Sequence, residues 1–235
     1  MNTSRVKTKV KANSKAKKNV PPSKNEYFVK LLALDKGLKV VIHKFSDLDF
    51  TPQILRSPYE SLVRAIAHQQ LHGKAAETIL GRFMALTNPT DKLPAPEEID
   101  LFSVEMMRGC GLSNSKVKSI KSIASFVLEG KMPTANDLKK MSNEEIIKVL
   151  TGIYGVGRWT VEMMLIFQLG RLDVWPADDF GVRKGYQIWK KLELLPTAKE
   201  IKPKGEKWNP YQSIVALLMW KLADANKLER KKSKK

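Results

Sequence analysis

Pro176-Ala177-Asp178-Asp179 sets two carboxylates side by side at a probable helix start, about twenty residues after Trp159, and a glycine hairpin, Gly155-Val156-Gly157, stands just before that tryptophan. Glycines let such a hairpin turn sharply and leave backbone N–H groups uncovered, so the helix N-terminus opened at Gly157 can hold a phosphate oxygen. Arg158 and Thr160 beside it are candidate phosphate contacts; otherwise they are solvated surface. A carboxylate next to a phosphate clamp suits chemistry on nucleic acid, although an isolated Asp-Asp pair reads first as a helix N-cap. His68 and His72 lie four apart and can share a helical face, but His-Gln-Gln-Leu-His lacks the glutamate of zinc proteases and no third ligand is evident, so no metal is expected. Cys110 is the one cysteine, which rules out a disulfide, a four-cysteine zinc site and an iron–sulfur cluster.

Helices must position these groups. Ser142-Asn143-Glu144-Glu145 is a capping-box pattern ahead of Ile146, Ile147, Val149 and Leu150, and Val161 to Phe167 is apolar on nearly every face. Helix, tight hairpin and buried helix together occupy about 142–169. Upstream, Pro58 follows Ser57 as a first helical residue, and Leu62, Val63, Ile66, Ala67 and Gln70 or Leu71 continue one face until Gly73 breaks it. Further helices are predicted at 74–86, 103–107, 113–128, 134–140, 179–192 and 210–226, with surface loops at 87–100 and in the Pro- and Lys-rich stretch up to Asn209. Near the start, Tyr27, Phe28, Leu31, Leu32 and Leu34 form a helical stripe. Val40-Val41-Ile42 has strand composition, but it is assigned to helix because nothing else offers a pairing partner. The predicted fold class is all-α, with around ten helices.

At 235 residues with 43% hydrophobic content, the chain is long enough for one domain or two small lobes. The net charge of +18 is unevenly placed. Residues 1–24 hold eight Lys/Arg and no acid, and 227–235 hold six against Glu229, so the two ends carry +13. We expect a disordered basic arm over 1–24, a folded domain over 25–226 and a basic tail over 227–235, the ends adding salt-dependent attraction to a polyanion. No apolar run is long enough for a membrane span and no secretory leader is read, so the expectation is an intracellular protein.

Gly155 to Thr160 followed by Asp173-Val174-Trp175-Pro176-Ala177-Asp178-Asp179-Phe180-Gly181-Val182-Arg183-Lys184 resembles the helix-hairpin-helix DNA glycosylases of base excision repair, within them the 3-methyladenine (alkylpurine) group. Residues 58–83 are similar to that group's other characteristic segment, and the likeness covers roughly 58–220. It implies two helical lobes with the active site in the cleft between them. Asp179 matches the catalytic aspartate, with Asp178 as its competitor. Trp159 and Trp220 match aromatic positions of the substrate pocket, though each also suits a core. Gln70 and Leu71 fall where the family's wedge fills the space left by the extruded nucleotide, and either is the inserting residue; His72 adjoins it as a DNA contact. Relatives that also nick the strand carry a lysine after the hairpin arginine, and here that position is Trp159, so water is the expected nucleophile. The implied activity is hydrolysis of 3-methyladenine and 7-methylguanine from double-stranded DNA by a monomer found with DNA, in a nucleoid or a nucleus. No cofactor is implied; a monovalent cation at the hairpin is allowed. The rival reading is a weakly active or non-catalytic binder of damaged or abasic DNA.

Overall fold

The computed structural model describes residues 24–52, 57–71, 73–87 and 92–232. Residues 1–23, which hold nearly all of the expected basic arm, and His72 lie outside the described residues. The elements in chain order are α1 (Lys24–Leu34), a 3-10 turn (Lys36–Leu38), α2 (Lys39–Lys44), α3 (Pro58–His68), α4 (Gly73–Met84), α5 (Pro96–Leu101), α6 (Val104–Gly109), α7 (Asn114–Leu128), α8 (Ala135–Lys140), α9 (Asn143–Leu150), α10 (Arg158–Phe167), α11 (Phe180–Lys190), α12 (Ala198–Ile201), a 3-10 segment (Lys202–Trp208) and α13 (Gln212–Lys232). All regular structure among the described residues is helical.

Capping explains most of the starts. Ser57 and Glu60 close a reciprocal box at α3, Thr134 and Asp137 at α8, and Ser142 and Glu145 at α9. Each helix then buries one stripe, and the stripes collect into two cores. Leu62, Val63 and Ile66 of α3, Ile120 and Ile123 of α7, Ile146 and Leu150 of α9, and Val161 and Leu165 of α10 build one. Phe28 and Leu31 of α1, Val182 and Tyr186 of α11, Trp208, and Ile214 to Met219 of α13 build the other. Two lobes follow, because α1, α2 and α11 to α13 bury their stripes in the second core. Trp220 and Phe50 pack against both cores and mark the seam.

Four expectations shift. The 87–100 stretch contains the start of α5, where Pro96 takes a first-turn position and the Glu98 carboxylate accepts the Ala95 N–H at 2.6 Å. The stretch before Asn209 is ordered into α12 and the 3-10 segment, held by a Thr197–Glu200 box. The last helix continues to Lys232, six residues into the segment expected as a tail. Gln70 and Leu71 do not continue the face of α3: the helix ends at His68, and Gln70 turns into the left-handed region at φ 56°.

Candidate active site

Asp179 fills the helix N-cap that its sequence position suggested, and its carboxylate has further partners. It is the N-cap of α11, its Oδ1 accepting the Val182 N–H at 2.8 Å. The same oxygen accepts the indole N–H of Trp220 at 2.7 Å, and Oδ2 accepts that of Trp159 at 2.7 Å. Three N–H donors thus orient one carboxylate, and among the described residues no basic side chain pairs with it. Gly181 makes room for this arrangement, since a Cβ there would lie 2.6 Å from Trp220 Cδ1 and 3.1 Å from Asp179 Oδ1.

The carboxylate lines a cleft of about 780 Å³ walled by Ala65 and His68 of α3, the turn Gln69 to Leu71, Trp159, Thr160 and Met163 of α10, and Asp178 to Phe180. Trp159 is 45% exposed there, so its indole presents a face as well as an N–H. Trp220 stands behind: it is not among the cleft-lining residues, stacks on Phe167 at 5.7 Å between centroids, and reaches Asp179 by its edge. Asp178 is exposed in the cleft beside its neighbour.

The turn after α3 brings Gln70 and Leu71 to the cleft mouth, both exposed. A non-glycine residue at positive φ is uncommon, and such strain persists only where its surroundings hold it. His68 is paired with Glu77, 3.1 Å away, and no group of three metal-binding side chains occurs among the described residues.

The hairpin between α9 and α10 is pinned from below by Ile153 and Val156, both in the core. Gly155 sits at φ 81°, and a Cβ there would fall 2.0 Å from Ser119 Oγ, so only glycine fits. Gly157 is the N-cap of α10 and supplies no side-chain cap, so among the described residues no cap side chain takes up that helix's first N–H groups. An anion is favoured at such an end.

Two of the expected phosphate contacts, Arg158 and Thr160, have partners within the protein. Arg158 turns away from the cleft to a bidentate pair with Glu144, at 2.5 and 3.0 Å, and a further bond to Glu162 at 3.0 Å. Hydrogen bonding to Glu144, then to Glu162, raises the guanidinium's pKa above its ordinary value, while burial pushes the Glu162 carboxyl up. Thr160 is 3% exposed, its hydroxyl accepting from Gln69 Nε2 at 3.4 Å. It joins the turn after α3 to the hairpin helix. Lys184 is likewise engaged, with Gln187 at 2.6 Å. Residue spacing missed Phe180, 64% exposed at the first position of α11 beside the acid pair; a bulky aromatic straight after an N-cap was the available signal.

Against known proteins, residues 63–210 match the family described as HhH-GPD superfamily base excision DNA repair protein. The chain is 46% identical over 180 residues to DNA-3-methyladenine glycosylase 1 of Schizosaccharomyces pombe, covering 75% of this chain and 78% of that one. It is 33% identical over 201 residues to the alkylbase DNA glycosidase-like protein mag2 of the same organism, covering 86% and 93%. Among solved structures, the S. pombe 3-methyladenine DNA glycosylase (Mag1) in complex with abasic DNA superposes with a TM-score of 0.73 at 41% identity, over 83% of this chain and 95% of that one.

Proposed function

The chain belongs to the HhH-GPD superfamily of base excision DNA repair proteins, and from that premise we propose that it is a monofunctional DNA glycosylase hydrolysing the N-glycosidic bond of alkylated purines, 3-methyladenine and 7-methylguanine, in duplex DNA. The observation that carries this reading is the Asp179 carboxylate, held by three N–H donors and by no cation at the wall of the cleft.

Breaking the bond between base and sugar builds positive charge on the deoxyribose. A fixed carboxylate beside that carbon stabilises the charge as it develops, and it can take the proton of an attacking water. Trp159 and Trp220 hold the oxygens in place, so little reorganisation accompanies the reaction. The base must leave the stack to arrive here. Gln70 and Leu71 at the cleft mouth are placed to fill the gap it leaves, and the exposed faces of Trp159 and Phe180 offer stacking surface. An alkylated purine is cationic, gains cation–π attraction over an indole, and departs without prior protonation. That agrees with a site where, among the described residues, the carboxylate stands free of cations and the wall histidine, His68, is paired with Glu77. The amine-bearing position of strand-nicking relatives is an indole, so water is the nucleophile and an abasic site is the product. The uncapped N-terminus of α10 grips a phosphate and carries no sequence information.

The test is release of free base from duplex DNA treated with a methylating agent, with borohydride trapping run in parallel. Release without a trapped adduct is expected. Tight binding to abasic duplex with no release would instead make the chain a damage binder, and a trapped adduct would overturn the assignment of water as nucleophile.

A further inference from the structure

The hairpin and the turn after α3, the two backbone segments that meet DNA in the proposed reaction, rest on one helix, α7. At one end Lys116 Nζ donates to the carbonyl of Ala67 at 2.8 Å, in the last turn of α3 and three residues before Gln70. Helix-terminal carbonyls lack intrahelical partners, and a cation is a favourable one. Lys116 is half-buried, and burial pulls its pKa below the usual lysine value, so solvent screens this bond less than a surface contact. Further along α7, Ser119 Oγ lies where a Gly155 side chain would be, Ser122 Oγ accepts the Tyr154 N–H at 3.2 Å, and Lys118 Nζ sits 4.2 Å from the Tyr154 ring centroid. Positions 116, 119 and 122 recur every three residues, so they share a face and span about 9 Å of helix. Gln69 to Thr160 closes the third side of the triangle.

We propose that α7 is a strut that fixes the spacing between the phosphate-gripping hairpin and the nucleotide-displacing turn, with Lys116 as the positioning residue at the turn. The proposal rests on the glycosylase reading. Extrusion at a defined nucleotide requires a set distance between the phosphate held and the base displaced. Each of the two segments carries a residue at positive φ, Gln70 and Gly155, a conformation that persists only where the surroundings hold it. A helix supplies that hold, and Lys116 transmits it to the turn without touching the cleft.

The experiment uses the full-length chain and a duplex with 2-aminopurine next to a tetrahydrofuran abasic analogue, whose fluorescence rises when the turn enters the stack, together with single-turnover base release. Lys116→Met, which keeps the aliphatic stem, should lower both the fluorescence rise and the release rate about tenfold, as sub-ångström misplacement does. Affinity for undamaged duplex should stay within about twofold, because the hairpin amides are intact. Lys116→Arg should restore most of both. Wild-type fluorescence in Lys116→Met, failure of Lys116→Arg to restore, or undamaged-duplex affinity falling in step with release would each overturn the strut, the last by making Lys116 a phosphate contact. Should Lys116→Met unfold, Ser122→Ala cuts the other end and must lower the same fluorescence rise; normal fluorescence there overturns the proposal. Fluorescence needs no bond cleavage, so a wild-type chain that inserts but releases no base refutes the reaction and not the strut.

Discussion

Asp35 and Asp179 are built alike and do different things. Each caps a helical turn, and each accepts a backbone N–H and an indole N–H: Gly37 at 3.0 Å and Trp208 at 3.1 Å for Asp35, Val182 and Trp220 for Asp179. The third partner separates them. Asp35 has the ammonium of Lys207 at 2.5 Å; Asp179 has a second indole, that of Trp159. For Asp35, burial pushes the carboxyl up, but Lys207, Trp208 and the Gly37 N–H outweigh it and the pKa is lowered overall. An ammonium cancels the charge it orients, whereas an indole orients without cancelling. The remote aspartate therefore ties the N-terminal segment to the C-terminal lobe, and the cleft aspartate keeps its field for something positive.

The sharpest way to break this contrast is Asp179→Asn. Base release should fall about a thousandfold, the scale of losing a preorganised charge partner, while thermal stability should change by about 1 kcal/mol at most because asparagine also caps. Near wild-type release in Asp179→Asn together with an inactive Asp178→Asn would show that the neighbouring acid does the chemistry. Trp159→Phe keeps the ring and removes the N–H on Oδ2. Release should drop about tenfold, the low end of a hydrogen bond to a charged group, and an unchanged rate in single-turnover kinetics would mean that Trp220 orients the carboxylate alone.

A third N-terminus extends the comparison, since α10 begins with no side chain at its cap. A Cβ on Gly157 would meet nothing within 4 Å. Gly157→Ala should therefore leave melting unchanged and weaken damaged and undamaged duplex equally, by about fivefold if it removes one helix-end contact to phosphate. Loss of lesion binding only, seen by titration, would contradict a phosphate grip. Gly155→Ala cannot serve here, because its backbone conformation and Ser119 would make it unfold the hairpin. The smallest effect on catalysis belongs to Asp35→Asn: unchanged release at 25 °C, and a stability loss of about 1–2 kcal/mol near neutral pH. Because the folded-state pKa is depressed, this stabilisation exists above the unfolded value and is lost as pH falls through the folded one. The gap in melting temperature between wild type and variant should close below about pH 4. A gap that widens in acid would reverse that sign.

Local signals carried the fold where they were self-contained. The Ser142 box, the Ser57-Pro58 start and the apolar run after Gly157 each announced a helix that the structure contains. Elements whose stability comes from packing were harder to see: α12 and the 3-10 segment exist because Ile201 and Trp208 are buried in the second core, and a Pro- and Lys-rich composition hides that. At the site, acid pair, hairpin and indole positions could be read along the chain. The partners of Arg158 and Thr160 could not, because Glu144 and Gln69 come from other elements and only tertiary contact brings them together. Gln70 shows a third kind of limit, since a helical face extended by periodicity gives no warning of a positive φ one residue past the cap.

Trp220 and Phe50 each pack against both cores, so the two lobes share a wall. A shared wall leaves part of the work of fitting to the DNA. The duplex has to bend and open to reach Asp179, at a cost set by the stiffness of its own base steps. Of two identical lesions, the one flanked by soft pyrimidine–purine steps should be engaged sooner than the one inside a stiff A-tract, although the protein reads neither sequence.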